Sequence, residues 1–480
     1  MPVLASSLST IFNNSLRRGV FPDCWKTARI APIFKDGPEN IKSNYRPISV
    51  LPTVSRLFEK VLYGQLYQYL DENKLLYLHQ SGFRSLHSCV TCLLKSTNDW
   101  YTDIDRGNVN AVVFIDLKKA FDTVDHSILL EKLSLYGIRD IELEWFRSYL
   151  SGRKQCCKVN GHISNIESIR YGVPQGSCLG PLLFLIYIND LPLALDNAKV
   201  TMYADDTSIS YSSKSVDEIN SAINDDLSNL KLWLEGNKLS LNVTKTQAML
   251  IGSRAKLQNI SNSDVISPKF VIDDEVVPMI NEAKYLGIQI DKTLGWKEHI
   301  NIIAAKISRG IGMLRYAKRY VPLSTVKTMY RSIVEPYLRY CCTVWGCCTE
   351  ADLKRLQILQ NRAARIVTNS AYDTHSLPLI KGLGWLTVKE LIRFETATTV
   401  FKSVNQLCPG YMAQMFQRQC EQAMRTLRNT ETDLRIPLFR TNNGQKSFAY
   451  RGATVWNSLD HQIKLSPSLT NFKLKLKDGL

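Results

Sequence analysis

Residues 200–211 read VTMYADDTSISY, two short β-prone runs that meet at Asp205-Asp206. Val200–Ala204 and Thr207–Tyr211 predict the strands of a hairpin with both acids at its tip. Upstream, the apolar run Ala111–Ile115 has the pattern of a buried strand and ends at Asp116. Two neighbouring strands would then deliver three carboxylates to one place. Consecutive strand residues face opposite ways, and a turn relaxes that rule. Three crowded acids repel unless cations neutralise them. An oxygen-only ligand set suits Mg²⁺, which keeps waters and substrate phosphates in its shell. Two such ions serve phosphoryl transfer directly. Asp also favours turns for local reasons, so the dipeptide alone reads more readily as turn chemistry.

Outward from these acids, strand and helix alternate. After Asp125, Leu129, Leu133 and Tyr136 repeat at helical spacing and Gly137 offers a stop. Asp122 and Asp125 precede that helix, where carboxylates serve as caps. Gly172-Val173-Pro174-Gln175-Gly176-Ser177 forms a tight turn that lets backbone approach a ligand. A helix is expected from Gly176 to Asn189, its N-terminus favouring an anion. Ser215 and Glu218 have capping-box spacing ahead of the stripe Val216, Ile219, Ile223, Leu227, Leu230 and Leu234, which Gly236 ends. Further strands are expected at Gln247–Gly252 and Tyr285–Ile290. Residues 1–110 are broken repeatedly by prolines. Within them Lys35 and Arg46 flank a Pro/Gly-rich loop, and Lys245 follows the striped helix. These are candidate cations for a triphosphate, with Lys245 also a candidate general acid for the leaving pyrophosphate.

The chain of 480 residues is 45% hydrophobic, enough for a large core and more than one domain. No run of about 18 apolar residues suggests a membrane span, and Met1–Thr10 does not resemble a signal peptide, so an intracellular protein is expected. Nucleus and cytoplasmic ribonucleoprotein are not distinguished. The net charge of +16 is unevenly placed. Residues 1–291 carry 31 Lys+Arg against 32 Asp+Glu, whereas residues 292–480 carry 29 against 12. The excess points to a polyanion such as nucleic acid, or else to a basic, soluble surface. Residues 292–480 read as largely helical. In 351–367, Leu356, Leu359, Ala363 and Ile366 form one face and Arg355, Arg362 and Arg365 another. Of the 12 cysteines, Cys89 and Cys92 have CxxC spacing, and Cys341, Cys342, Cys347 and Cys348 crowd around Trp345. Core packing accounts for them better than structural zinc.

In order, Asn44-Tyr45-Arg46-Pro47-Ile48-Ser49, Gln80-Ser81-Gly82-Phe83-Arg84 and Ile115–His126 are followed by Gly172–Ser177 and Gly180-Pro181-Leu182-Leu183-Phe184. Tyr203-Ala204-Asp205-Asp206, Leu239-Ser240-Leu241-Asn242 with Lys245-Thr246, and Tyr285-Leu286-Gly287 complete the series. This series resembles the reverse transcriptases of non-LTR, LINE-type retrotransposons of the Jockey and chicken-repeat kind, from about residue 16 to 291, with weaker similarity beyond. The resemblance implies an α+β right-hand polymerase: fingers, a palm with a small antiparallel sheet packed on helices, and a helical thumb. The implied division is a lead-in at 1–15, the reverse transcriptase domain with fingers and palm at 16–291, a basic thumb and connection at 292–420, and a tail region at 421–480. Fingers would occupy roughly 16–110 and part of 137–170, and Tyr285–Ile290 would be the primer-gripping strand.

The resemblance also implies roles. Asp116, Asp205 and Asp206 match the metal-binding acids, and the Leu117 carbonyl a further ligand. Phe121 matches the steric gate against a 2′-hydroxyl, a place a buried core Phe would equally fill. Gln175 and Gly176 match residues that position nucleotide and template. Lys35 and Arg46 match triphosphate-holding cations, and Lys245 the general acid. The expected cofactors are two Mg²⁺ ions, with Mn²⁺ as substitute. The expected partners are an RNA template, a DNA primer and dNTPs, with no membrane. Related elements carry an endonuclease ahead of the polymerase; only 24 residues precede Trp25, so nicking is expected from elsewhere. The oligomeric state is left open. The rival functions are a catalytically silent remnant that only binds nucleic acid, an RNA-templated RNA polymerase, and a scaffold.

Overall fold

The computed structural model describes residues 2–262, 268–419 and 432–479. At its centre the strands Lys199–Tyr203, Asp206–Ser213, Val109–Ile115 and Gln247–Ile251 lie side by side in that order, every pair antiparallel. Val109–Ile115 is buried almost throughout, as its unbroken apolar run requires. Its alternation serves two cores. Ala111, Val113 and Ile115 join one formed with the helices Thr53–Glu72, His126–Leu135, Gly180–Ile188 and Val216–Gly236. Val112 and Phe114 turn to the other, which extends through Trp100, Tyr285 and Trp296 into the C-terminal helices.

A second sheet lies N-terminal in sequence. Thr27–Phe34 pairs antiparallel with Tyr45–Val50 and parallel with Lys154–Val159, which also pairs with His162–Ile163 and Glu167–Ser168. Among the described residues, every regular element from Lys297 onward is helical, beginning with Lys297–Ala317 and including Glu350–Thr368 and Val388–Val404. The architecture is therefore α+β, with an antiparallel sheet packed on helices. None of the helices described is long and apolar enough to cross a membrane.

The start of the expected 421–480 tail lies outside the described residues. From 432 on, the chain packs back onto the body. Phe448–Asn457 and Leu469–Asp478 lie on Val388–Val404, with Trp456 and Phe472 buried. Contacts also reach the helix Cys89–Asp105. The Ala449 N–H donates to Asn98 Oδ1 at 3.0 Å, and the Thr441 N–H to Asp105 Oδ1 at 2.7 Å.

Several local expectations need correction. The run expected as one strand at Tyr285–Ile290 is a hairpin of Glu282–Tyr285 and Ile288–Asp291. Leu286 and Gly287, at φ 44° and 81°, make its turn, and the Tyr340 hydroxyl donates to the Leu286 carbonyl at 2.7 Å. The helix expected from Gly176 begins at Gly180, where Ser177 Oγ accepts from the Gly180 N–H at 2.9 Å. The capping box is half formed. Ser215 Oγ accepts from the Glu218 N–H at 3.4 Å, while the Glu218 carboxylate takes the Ser213 hydroxyl instead. Cys341 and Cys342 are buried among apolar side chains, as the packing reading requires.

Candidate active site

Pairing of Ile115 with Thr207 carries Asp116, the residue after the central strand, up to Asp206. The hairpin tip differs from the expectation. Its two turn residues are Ala204 and Asp205, and Asp206 already belongs to the strand, paired with Tyr203. The three acids meet at one end of the central sheet and their charges register there. Burial, then the negative charge of Asp116, raises the Asp205 carboxyl above its ordinary range. Surrounding protein and the charges of Asp205 and Asp116 push the Asp206 carboxyl up to about 6. By surface area Asp206 is exposed, so charge repulsion is the firmer of its two causes.

Asn242 completes the acid cluster and was not singled out in the sequence. Its amide donates to Asp116 Oδ2 at 2.7 Å, and its N–H to the Asp116 carbonyl at 2.8 Å. A bridge between Leu117 and Leu241 and a 2.8 Å bond from the Lys118 N–H to the Ser240 carbonyl hold the same two segments together. The Leu239–Asn242 motif was the available signal, but it carried no hint of a partner more than a hundred residues away. Lys245 lies one turn on, its N–H donating to the Asn242 carbonyl at 3.0 Å, with an exposed side chain.

Lys35 and Arg46 sit at the loop end of the Thr27–Phe34 and Tyr45–Val50 pair. Arg46 lies opposite Ile33, and the Lys35 N–H donates to the Asn44 carbonyl at 2.8 Å. Both cations lower the Asp205 carboxyl against the larger raising effects, and Lys35 does so for Asp206. They are thus within electrostatic reach of the acids.

Phe121 and Gln175 belong to one corner beside the acids. The Val173 N–H donates to the Phe121 carbonyl at 2.9 Å, the Gln175 amide to Asp122 Oδ1 at 2.8 Å, and the Ser49 N–H to the Gln175 carbonyl at 2.6 Å. Phe121 stacks on Phe184 at 4.2 Å and meets Phe83 edge-on at 6.1 Å, so it is wedged yet half-exposed. Gly176, at φ 116°, has no room for a side chain, since a Cβ would come within 2.6 Å of the Ser49 carbonyl oxygen. Asp125 caps His126–Leu135 as expected, accepting from the Ser127 and Ile128 N–H groups, whereas Asp122 serves Gln175 instead.

The anion expected at the helix after Pro174 belongs to the protein itself. Buried Glu59 accepts from the Cys178 and Leu179 N–H groups at 2.7 and 3.4 Å. Glu59 thus takes two N–H groups that lead into the helix, and Ser177 Oγ takes the Gly180 N–H.

The acid cluster fits divalent cations of the Mg²⁺ type. Its side-chain donors are all carboxylate oxygens, and their mutual repulsion is relieved by a bound positive charge. Among the described residues, no three His, Cys, Asp or Glu side chains are gathered tightly enough to hold an ion by themselves. Mg²⁺ characteristically takes only one or two carboxylates and completes its shell with water and substrate phosphate.

Residues 33–290 match the family model described as reverse transcriptase (RNA-dependent DNA polymerase). The chain is 32% identical over 407 residues to the probable RNA-directed DNA polymerase from transposon BS of Drosophila melanogaster, a match covering 81% of this chain and 43% of that protein. It is 29% identical over 393 residues to the probable RNA-directed DNA polymerase from transposon X-element of the same fly, covering 79% and 42%. The chain thus spans less than half the length of these relatives. Among solved structures, apo telomerase from Candida tropicalis is similar at 14% identity and a TM-score of 0.40, over 79% of this chain and 74% of that one.

Proposed function

This chain belongs to the reverse transcriptase (RNA-dependent DNA polymerase) family, and on that premise we propose that it extends a primer 3′-hydroxyl with dNTPs along an RNA template, as the polymerase of a non-LTR retrotransposon. The carrying observation is the meeting of Asp116, Asp205 and Asp206 with Lys35 and Arg46 in electrostatic reach. In this reading the three carboxylates and the Leu117 carbonyl would hold two Mg²⁺ ions, or Mn²⁺ in their place, which would supply a lowered pKa for the primer hydroxyl and positive charge for the leaving pyrophosphate.

The chain's own groups do the positioning. Lys35 and Arg46 bind the triphosphate. Phe121, braced by Phe184, blocks a 2′-hydroxyl. Gln175, tied to Asp122 and to the Ser49 strand, shapes the seat of the incoming base pair. The primer 3′-hydroxyl gives its proton to water, its oxygen bonds to the α-phosphorus as the bond from that phosphorus to pyrophosphate breaks, and Lys245 gives pyrophosphate a proton. Residues 16–291 serve as fingers and palm, 292–420 as a basic thumb that follows the duplex backbone, and 421–480 as a tail region.

Primer extension on a primed RNA template with dNTPs and Mg²⁺, with Asp205→Asn beside the wild type, tests this. Extension by the wild type alone, with equal duplex binding by both, is expected. Duplex binding without extension in either would make the chain a binding-only remnant.

A further inference from the structure

Gln80 is 2% exposed and comes from a segment that contributes no expected site residue. It lies beside the hairpin that carries Asp205 and Asp206. Residues 79–81 run alongside Met202 as a short parallel extension of the sheet. The Met202 N–H donates to the His79 carbonyl at 3.0 Å, and the Ser81 N–H to the Met202 carbonyl at 2.8 Å. From there the Gln80 amide reaches the turn itself. Its Oε1 accepts from the Ala204 N–H at 2.9 Å and from the Gly82 N–H at 2.8 Å, and its Nε2 donates to the Ala204 carbonyl at 3.4 Å.

Ala204 is the residue that most needs such help. It sits in the left-handed region at φ 56°, where a two-residue hairpin turn ordinarily places Gly, Asn or Asp. It is also 4% exposed, so its peptide groups require partners inside the protein. The Gln80 amide satisfies both ends of this one residue, which needs a donor and an acceptor on the same planar group. Gly82 lets the segment come this close: a Cβ there would stand 2.2 Å from the Ala204 nitrogen. The next two residues are the acids.

We propose that Gln80 is a positioning residue for nucleotidyl transfer, its amide locking the Ala204 peptide so that Asp205 and Asp206 are held ready for divalent cations. The inference rests on the polymerase reading above. It predicts a defect in metal use rather than in nucleic-acid or dNTP binding. Glu at this position keeps the acceptor but loses the donor and adds charge, and Leu loses both functions at nearly constant shape.

The test measures primer extension against Mg²⁺ concentration and, separately from activity, Mn²⁺ binding by electron paramagnetic resonance, for wild type, Gln80→Leu and Gln80→Glu. For Gln80→Leu, kcat is expected to fall about 10–100-fold with half-saturating Mg²⁺ raised and Mn²⁺ binding weakened to a similar degree. The KM for dNTP and duplex affinity should stay near wild type. Adding Ala204→Gly, which suits the left-handed turn without the amide, should restore most of the loss. Unchanged Mn²⁺ binding in both Gln80 variants would overturn the proposal, as would a kcat loss that Ala204→Gly leaves untouched. Should Gln80→Leu fail to fold, Gln80→Glu with and without Ala204→Gly carries the same comparison. A wild type that binds Mn²⁺ but extends no primer would sink the polymerase reading, while the Mn²⁺ comparison would still judge the clamp.

Discussion

Asn242 grips Asp116 at both ends, its side-chain amide on Oδ2 at 2.7 Å and its N–H on the carbonyl at 2.8 Å. The carboxylate is thereby fixed in direction before any ion arrives. Asn242→Leu should lower the extension rate about 10–100-fold and raise the Mg²⁺ requirement, as loss of an outer partner does in metal sites. Titrating Mg²⁺ in a primer-extension assay measures both. A variant with wild-type rate and metal dependence would show that Asp116 needs no such guide.

Acid should oppose metal binding here. With the Asp206 carboxyl raised from 3.8 to about 6, the half-saturating Mg²⁺ concentration should climb as pH falls from 7.5 to 5.5. The sign for stability follows from linkage. A carboxyl raised in the folded chain favours folding below its unfolded value, and that contribution is lost as pH rises through about 6. In chelator, Asp206→Asn should therefore melt above the wild type at pH 7 and level with it at pH 4. Equal melting temperatures at both pH values would contradict the repulsion among the three acids.

Glu59 is a structural charge. It accepts from the Cys178 N–H at 2.7 Å and from Ser55 Oγ at 3.2 Å, and feels the charge of buried Arg153. Glu59→Leu leaves the Cys178 and Leu179 N–H groups without their acceptor. A loss of about 1–3 kcal/mol in denaturant unfolding is expected. A loss below 1 kcal/mol would mean that water takes over the carboxylate's part.

Phe121 should select sugars. Phe121→Val opens the space its ring fills beside Phe184 and should raise incorporation of rNTPs relative to dNTPs by roughly 10–100-fold. Single-nucleotide extension with each substrate reads the ratio. An unchanged ratio in a folded, active variant would return Phe121 to a packing role.

The parts legible in the sequence were those governed by local pattern. The buried run to Ile115, the stripe from Val216 to Leu234 and the β-prone arms around Asp205 follow from periods of 2 and 3.6, and the fold agrees with them. The motif order added which acids belong together. What failed was set by distant partners. Leu286 is a poor turn residue, and it is the apolar neighbours and the Tyr340 hydroxyl that surround its hairpin. Glu59 reaches the start of the helix Gly180–Ile188 from inside the helix Thr53–Glu72, more than a hundred positions away in the chain, and no local pattern carries that information. Asn242 and Gln80 both stand in recognisable motifs, yet Asn242 acts through its amide on the Asp116 carboxylate and Gln80 through its amide on the Ala204 peptide, bonds that only the folded chain reveals.

The bond from the Ala449 N–H to Asn98 Oδ1 joins residues 351 positions apart, on a helix that lies against the central sheet. During synthesis at about 5–20 residues per second, the helix Cys89–Asp105 waits roughly 20–70 s for this partner. Until then the core face that Trp100 shares with the late helices stays open to water, and to other chains being made on the same message. Nascent chains are thus most prone to aggregate during that interval, and slower translation past residue 105 would lengthen it.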